Sequence, residues 1–262
     1  MATKKTIEFA AKNVKTFTNW LKRFSTIDNS LLLEINQDDS AFIAKTYNEE
    51  RSVVKMSTIK FDDAGLTQQH SKKEKDTNRV KVGIFNIPRL IKIIDQFDDA
   101  EFTFKIEYQE LIGDNETQFA GEKLLLKNNY LKMNVDCTSL NIFKYISDEL
   151  FTDTIAKVDK LGNFELTKET LEQINTLNTL DNENRFMNFE FKNNDIIVSG
   201  KTYELRIGET NKNENNLSIF KDQYSTLDIE NYNVELGEDR LIFKSKDSET
   251  TTVISKAEDD KD

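Results

Sequence analysis

The chain has 262 residues, of which 37% are hydrophobic and 32% charged, and its formal net charge is −11. It is long enough to bury two cores of ordinary size, and no apolar run or signal peptide is present that would predict a membrane protein. Its single cysteine, Cys137, excludes an internal disulfide and is typical of a reducing cytoplasm.

The first element is a short strand at 5–9, followed by an amphipathic helix at 12–24. Apolar residues recur at helical spacing on one side of this helix. The opposite side carries four positive charges and no negative one, although acidic residues outnumber basic ones, 47 to 36, in the whole chain. The four are Lys12, Lys15, Lys22 and Arg23. A basic stripe of this kind can bind phosphate while the acidic remainder keeps the protein soluble.

The rest of the first half predicts mainly strands. Asn86 is a candidate helix cap, and Pro88, the only proline, fits the first turn of a second helix. Arg89 and Lys92 share a polar face of that helix. The predicted strands are 30–36, 41–47, 52–60, 81–85, 100–108, 122–127 and 130–136.

A connector at 138–152 joins the two halves and is rich in apolar residues. Two compatible interpretations are open: it is strapped onto a sheet by those side chains, and it forms one wall of a docking groove. The second half predicts helices at 167–180 and 218–225. Its predicted strands are 155–160, 163–166, 185–192, 195–201, 202–208, 227–236, 240–246 and 250–255.

The two halves follow the same order of elements. Three pairs of short segments support a duplication: 6–9 with 163–166, 44–47 with 200–203, and 121–123 with 237–239. The closer spacing of the third pair assigns extra loop in the first copy to residues 62–79 and 109–120. We therefore expect an α+β fold of duplicated domains, divided as domain 1 at 1–137, connector at 138–152, domain 2 at 153–256 and an acidic tail at 257–262.

Catalytic signals are weak. His70, the only histidine, lies in a polar loop, and Cys137 fits a small buried strand residue. The sequence contains no glycine-rich phosphate loop and no Cys/His set with metal-binding spacing. Acidic pairs fall between elements, where Asp commonly forms turns. We predict no enzymatic activity, no cofactor and no metal, and rank a carboxylate-dependent hydrolase low.

Residues 129–136 resemble the last strand of the first domain in DNA sliding clamps of the PCNA type, and a connector follows directly. Residues 253–260 resemble the last strand and acidic tail of the same family. The opening helix and residues 28–44 resemble the clamps of T4-like bacteriophages. This resemblance implies a ring of three subunits with helices inside and antiparallel sheets outside, which encircles duplex DNA and tethers a DNA polymerase.

The resemblance also implies roles for individual residues. DNA would be held without sequence specificity by the basic helix faces, with Lys168 and Lys221 as second-domain candidates. Subunits would join by strand addition between residues 130–136 and 202–208, with Tyr130, Lys132, Asn134, Tyr203, Leu205 and Ile207 at the interface. Partner proteins, among them a polymerase and a clamp loader, would dock on Tyr47, Val53, Val54, Ile142, Phe143, Val253 and Ile254.

Two other hypotheses remain open at this stage. A virion structural or assembly protein built from duplicated β-rich domains would share the repeat and the acidity, but it would not need a basic helix face. A monomeric processivity factor that grips one side of DNA would differ only in its assembly state. Abundant Lys, Asn and Asp fit a viral or bacteriophage source, for which the location would be the host cytoplasm.

Overall fold

The computed structural model describes residues 5–69, 79–97, 100–112, 117–143, 148–156, 161–210 and 214–257. The fold is α+β, as predicted. The helices are α1 (Lys15–Ser25), α2 (Ile87–Ile94), α3 (Asp148–Ala156), α4 (Lys168–Leu180) and α5 (Lys221–Tyr224). The strands of the first half are β1 (Lys5–Ala11), β2 (Leu31–Asn36), β3 (Ala41–Tyr47), β4 (Val53–Lys60), β5 (Leu66–Gln68), β6 (Arg79–Ile84), β7 (Phe102–Ile112), β8 (Thr117–Lys127) and β9 (Lys132–Asp136). Those of the second half are β10 (Gly162–Leu166), β11 (Phe186–Lys192), β12 (Asp195–Ser199), β13 (Glu204–Glu209), β14 (Asn215–Phe220), β15 (Tyr232–Leu236), β16 (Arg240–Ser245) and β17 (Glu249–Ser255).

The chain divides into two compact units. Unit 1 comprises Met1–Thr46 and Ser57–Tyr145, and unit 2 comprises Tyr47–Met56 and Ile146–Asp262. In unit 1 the strand order is β4-β3-β2-β6-β8-β7-β1-β5, and β9 pairs with β8. Neighbouring strands are mostly antiparallel, whereas β6 and β8 meet as a parallel pair. Helices α1 and α2 contact each other.

An aromatic core lies beneath α1. Phe17 and Phe24 pack on either side of Trp20, and all three are buried. The indole Nε1–H of Trp20 donates a hydrogen bond of 2.9 Å to Ser57 Oγ on β4. This bond satisfies a polar group that would otherwise be costly to bury. It also fixes α1 on the sheet, so that its polar face points away from the core.

Unit 2 repeats this plan. Strands β10, β15, β16, β17 and β4 follow one another in one sheet, and a second sheet has the order β13-β12-β11-β14. Its core is also aromatic: Phe189, Tyr224 and Phe243 have ring centroids within 6.1 to 6.4 Å of each other. Helix α4 begins at the cap residue Thr167, whose side chain accepts a hydrogen bond from the backbone of Thr170.

The duplication is confirmed at the level of element order. In each copy a strand and a long helix precede three strands, a further strand, a shorter helix and three final strands, and the first copy has the short strand β5 in addition. The match of 6–9 with 163–166 falls on equivalent strands, β1 and β10. The other two sequence matches do not: 44–47 lie in β3 while 200–203 form a turn, and Gly121 lies within β8 while Gly237 follows β15. Short identities were therefore a weaker guide than the order of elements.

Both predicted insertions contain strand. The loop predicted at 62–79 includes β5, and residues 70–78 lie outside the described part. The loop predicted at 109–120 is largely a long hairpin, because β7 and β8 extend from 102–112 and 117–127. Alternation of apolar and polar residues in this segment is too irregular to predict strands of such length.

Three further boundaries differ from the predictions. The strand predicted at 155–160 begins as helix, since α3 continues to Ala156, and residues 157–160 are outside the described ranges. The helix predicted at 218–225 is strand up to Phe220 and helix only from Lys221. The first helix begins at Lys15 rather than Lys12, because Asn13 has a positive φ of 55°, which interrupts a right-handed helix.

Candidate functional site

The polar face of α1 carries exposed lysines. Phe17, Trp20 and Leu21 are buried on the opposite face. Lys15 and Lys22 are exposed, and neither ammonium forms an ion pair with any residue that the structure describes. Arg23 is half-buried and already has an interaction within the protein. Two lysines of α1 are thus available to an anionic partner.

Helix α2 adds two more cations. As predicted, the side chain of Asn86 caps this helix by accepting a hydrogen bond of 2.8 Å from the backbone N–H of Arg89, and Pro88 occupies its first turn. Arg89 and Lys92 are exposed, whereas the isoleucines of α2 are buried. An open groove lies between the start of α1 and the end of α2, with Lys15 and Lys22 among its lining residues.

Lys12 was wrongly placed on the helix. It follows β1, and its ammonium donates a hydrogen bond of 2.8 Å to Glu101 at the start of β7. This contact raises the pKa of Lys12 and lowers the pKa of Glu101. Because the pair is fully exposed, it contributes little to stability, but it neutralises Lys12 locally.

The corresponding helix of unit 2 is less basic. Lys168 is exposed in the first turn of α4, close to Glu169 and Glu172 on the same helix. Lys168 also lies near enough to Asp247 to help hold the pKa of that carboxyl below its usual range, after the larger effect of hydrogen bonds from Asn231. The positive charge of the described helices is therefore concentrated in unit 1.

Lys221 is not available to a ligand, contrary to expectation. Its side chain is nearly buried, and Nζ lies 2.7 Å from Oδ2 of Asp181, which is fully buried. Nζ also donates to the backbone carbonyl of Asp181. The carboxylate accepts two further hydrogen bonds, from Lys201 N at 2.8 Å and from Thr202 Oγ1 at 2.9 Å. These contacts, led by the one with Lys221, lower the pKa of Asp181 to about 2.

Strands β9 and β13 each have an edge that no described strand covers, and β5, β10 and β14 also stand at the end of a sheet. β9 pairs only with β8, and β13 pairs only with β12. On β9, Lys132 and Asn134 are exposed, and the alternate residues Met133 and Val135 pack against the core of unit 1. Tyr130, which was predicted as part of this strand, lies in the preceding turn and is 95% exposed.

On β13, Leu205 and Ile207 are half-buried, whereas Glu204 and Arg206 are exposed. Tyr203 lies just before the strand, where its hydroxyl donates a hydrogen bond of 2.6 Å to Asn178 Oδ1 on α4. Burial is the main cause that raises the pKa of Tyr203 to about 12, with a smaller effect of Asp181. The inward side of this edge strand is thus apolar and fixed against α4.

The predicted docking residues have different surroundings. Val53, Val253 and Ile254 are buried, and Val253 packs with Ile242, Val54 and Ile155. Assigning Val53, Val253 and Ile254 to a docking surface was therefore wrong, because a buried side chain cannot contact a partner protein. Val253 and Ile254 are adjacent and point to opposite faces of their sheet, so both faces are covered at this position. Tyr47 and Val54 are half-buried.

The connector residues lie in unit 1. Phe143 is held against β6: a Cβ atom at Gly83 would lie only 2.5 Å from its ring. Ile142 is 67% exposed. The beginning of the connector is therefore strapped onto the sheet, which supports the first of the two interpretations for Phe143 and leaves Ile142 open to solvent.

The described residues contain no group of three or more His, Cys, Asp and Glu side chains that could hold a metal ion. His70 lies outside the described residues. Burial, followed by the nearby charges of Asp136 and Glu122, raises the pKa of the Cys137 thiol to about 12, so its reactive thiolate is scarce at neutral pH. No helix in the described ranges has the length and apolar character needed to cross a membrane.

Two features escaped the sequence analysis. Phe85 follows β6 with 69% of its surface exposed, and it borders a small cavity next to β9. Lys55 on β4 is fully buried. Phe85 could have been identified from its position directly before the predicted helix cap Asn86, whereas a lysine in an alternating strand gives no sign of burial.

No protein-family model matches this sequence, and no curated protein matches it. Solved structures do. A. fulgidus PCNA bound to the C-terminal region of FEN-1 is 10% identical, with a TM-score of 0.61 over 96% of this chain and 97% of that one. PCNA of Thermococcus kodakaraensis is 10% identical, with a TM-score of 0.62 over 96% and 100%.

A putative DNA polymerase III beta subunit from Eubacterium rectale is 12% identical, with a TM-score of 0.62. The match covers 96% of this chain and 65% of the beta subunit. PCNA chains are thus matched over nearly their whole length and the beta subunit over about two thirds. The order of elements, the paired sheets and these likenesses agree: the chain has a PCNA-like DNA sliding clamp fold.

Proposed function

We propose that this protein is a sliding clamp: copies of the chain assemble into a ring that encircles duplex DNA and acts as a processivity factor for a DNA polymerase. The observation that carries the proposal is the separation of charge within a clamp fold. Lysines on α1 and α2 are exposed and form no ion pair with the part of the chain that the structure describes, although the whole chain has a net charge of −11. The protein has no enzymatic activity of its own in this proposal.

The basic helix faces suit DNA that must move. Lys15, Lys22 and Lys92 are point charges on flexible stems, which contact phosphates without reading bases. Contacts of this kind exchange easily, and their strength depends on salt because each one releases counterions. Arg89 belongs to the same surface, and Lys168 is the candidate in unit 2.

Self-association is supported by a strand pair that the chain already makes. Within unit 2, β17 is the neighbour of β4, and Ser255 N donates a hydrogen bond of 2.8 Å to Ser52 O at one end of this joint. By the repeat, β9 is the counterpart of β17, and β13 is the counterpart of β4. The edges of β9 and β13 can therefore pair between copies, as β17 and β4 pair within one chain. Such a head-to-tail contact generates a ring if it closes.

Partners would follow from this assembly. The A. fulgidus PCNA structure contains the C-terminal region of FEN-1, and we infer that this chain likewise binds peptide segments of replication proteins, including a polymerase and a clamp loader. Of the residues considered for docking, Ile142 remains exposed. Tyr47 and Val54, both half-buried, are the other candidates that the structure leaves accessible.

The molar mass in solution tests the ring. We expect light scattering over a wide range of protein concentration to show a species of three times the mass of one chain, which dissociates on dilution. A strict monomer at every concentration would contradict the ring and would favour a factor that binds one side of DNA.

Charge reversal tests the DNA surface. We expect the triple substitution Lys15→Glu, Lys22→Glu and Lys92→Glu to weaken binding to a short duplex more than tenfold and to reduce the salt dependence by about one unit of slope per lysine. Fluorescence anisotropy across a salt series measures both quantities. The matched control carries the same change from lysine to glutamate at Lys60, Lys127 and Lys192, three exposed lysines on strands. Equal losses in the two variants would show that only net charge matters and would remove the assignment to these helices.

A further inference from the structure

The helices of the two units differ in their charge. Helices α1 and α2 of unit 1 together contain five basic residues and no acidic one. In unit 2, α4 contains one lysine and two glutamates, and α5 contains one lysine and one aspartate. Among the residues that line the groove of unit 1, Asp95 is the acidic one, and it lies beyond the end of α2. Acids of the chain therefore lie on α4 and α5 but not on α1 or α2.

The lysine of α5 is already held by an internal acid. Its Nζ lies 2.7 Å from Oδ2 of Asp181, and only 12% of the Lys221 side chain is exposed. Asp222, the next residue, is exposed. The outer surface of α5 thus offers a carboxylate rather than an ammonium, and a carboxylate repels phosphate.

A second carboxylate lies beside the first turn of α4. The backbone N–H of Lys168 donates a hydrogen bond of 3.0 Å to Asn231 Oδ1. Asn231 in turn donates to Asp247 Oδ2, from its backbone N at 2.7 Å and from Nδ2 at 3.0 Å. These hydrogen bonds from Asn231, and after them the charges of Lys168 and Lys246, lower the pKa of Asp247. The protein therefore places its own anion at the end of a helix that favours negative charge.

The exposed face of α4 adds two glutamates, and its exposed threonines bond to the helix itself. Glu169 and Glu172 are exposed, and Glu172 lies four residues after Lys168, on the same side of the helix. The hydroxyl of Thr176 donates to the carbonyl of Glu172 at 3.0 Å, and that of Thr179 donates to a backbone carbonyl one turn earlier at 2.9 Å. A hydroxyl has one proton to donate, so these two do not also donate to a phosphate.

We propose that each copy of the chain holds DNA through unit 1, and that the acids of unit 2 keep its helix face neutral, so that Lys168 is a cation withheld from phosphate. The proposal rests on the clamp function proposed above and names the half of the chain that grips DNA. Each copy then contributes one basic unit and one neutral unit to the ring. A small number of exchangeable contacts keeps the DNA mobile inside it.

The release of counterions explains why the neighbouring acids matter. A lysine strengthens DNA binding because the small cations condensed on a phosphate leave when the lysine replaces them. A phosphate that approached Lys168 would also meet the carboxylates of Asp247, Glu169 and Glu172, so it would retain its counterions. The lysines of α1 have no acidic neighbour on their own helix. The same residue type therefore contributes to binding in unit 1 and not in unit 2.

Neutralising the acids around Lys168 tests the proposal. We expect the triple substitution Glu169→Gln, Glu172→Gln and Asp247→Asn to strengthen binding to a short duplex by about fivefold, and to steepen the salt dependence by about one unit of slope, because Lys168 becomes available. Fluorescence anisotropy across a salt series measures both quantities. Adding Lys168→Gln to this variant should abolish the gain in slope, which identifies the lysine responsible.

The matched control removes the same number of charges from another part of unit 2. Glu214, Glu238 and Glu249 are exposed and lie outside its helices. We expect their joint replacement by glutamine to strengthen binding by less than about twofold and to leave the slope unchanged, because no lysine is released.

The substituted side chains are chosen to preserve the fold. Asp247→Asn keeps an oxygen that can accept the hydrogen bond from Asn231 N. The double variant Glu169→Gln and Glu172→Gln leaves the hydrogen bonds of Asn231 untouched and should show part of the gain by itself. Circular dichroism and the melting temperature verify that each variant is folded before its binding is compared.

The outcomes separate this inference from the clamp function. Equal gains in the two triple variants would show that only net charge matters, and the inference would be wrong. No gain in the variant around Lys168 would also overturn it, and in both cases the clamp stands if charge reversal on α1 and α2 still weakens binding. A parent protein that does not bind duplex DNA, or binds it equally well after that reversal, would overturn the proposed function itself.

Discussion

Replacing Lys55 by Met is expected to lower the free energy of unfolding of the protein by about 3 kcal/mol. The substitution keeps the length and apolar stem of the side chain but removes the ammonium that lies 3.2 Å from Asp228 and 2.8 Å from the carbonyl of Thr226. Lys55 is completely buried, and only 16% of the Asp228 side chain is exposed. Removing one partner of a buried ion pair leaves the other charge poorly solvated, which is the source of the loss.

Equilibrium unfolding in urea measures this effect. Lys60→Met is the matched control, because Lys60 lies on the same strand but is exposed, and we expect it to change stability by less than about 0.5 kcal/mol. Equal stability of the Lys55→Met variant and the parent would show that desolvation of the lysine fully offsets its ion pair.

Asp181→Asn is expected to lower the free energy of unfolding by about 3 to 5 kcal/mol, because it replaces a charged carboxylate that is buried among three donors by a neutral amide. Asp181 joins the end of α4, the turn before β13 and the start of α5 through Lys221, Lys201 and Thr202. The amide can accept some of these hydrogen bonds but cannot compensate the charge of Lys221. Glu183→Gln is the control: its ion pair with Lys201 is exposed, so we expect a loss below about 1 kcal/mol.

The same carboxylate makes the stability dependent on acid. Its pKa is lowered from 3.8 to about 2 in the folded protein, mainly by Lys221. The stabilisation is therefore complete above the ordinary pKa of 3.8 and is lost as the pH falls towards 2. Urea unfolding between pH 5 and pH 2 should show a steeper decline for the parent than for Asp181→Asn. Parallel declines would contradict the assigned role.

Much of the architecture could be predicted from the sequence because local signals were strong. Asn86 and Pro88 marked the start of α2 correctly, since a cap side chain and a residue without an N–H both fit a first helical turn. Helix α1 was indicated by the apolar stripe that includes Phe17 and Leu21. Order of elements, more than sequence identity, indicated the duplication.

The environment of charged residues was much harder to predict. Lys221, Lys12 and Lys55 look alike in the sequence, yet one is bound to a buried carboxylate, one forms an exposed pair and one is fully buried. Their partners, Asp181, Glu101 and Asp228, lie 40, 89 and 173 residues away along the chain. Contacts between such distant residues leave no periodic signal. The prediction of docking residues was wrong for a related reason: Val253 is covered by residues of other elements, which the pattern of its own strand does not reveal.

The placement of the single tryptophan has a spectroscopic consequence. Trp20 is buried against Phe17 and Phe24 within unit 1, and its indole is bonded to Ser57. Intrinsic tryptophan emission is therefore a native optical probe of unit 1 alone, whereas circular dichroism follows the backbone of the whole chain. Because Lys55 and Asp181 both belong to unit 2, comparing the two signals in their variants distinguishes one cooperative transition from two, without adding a label.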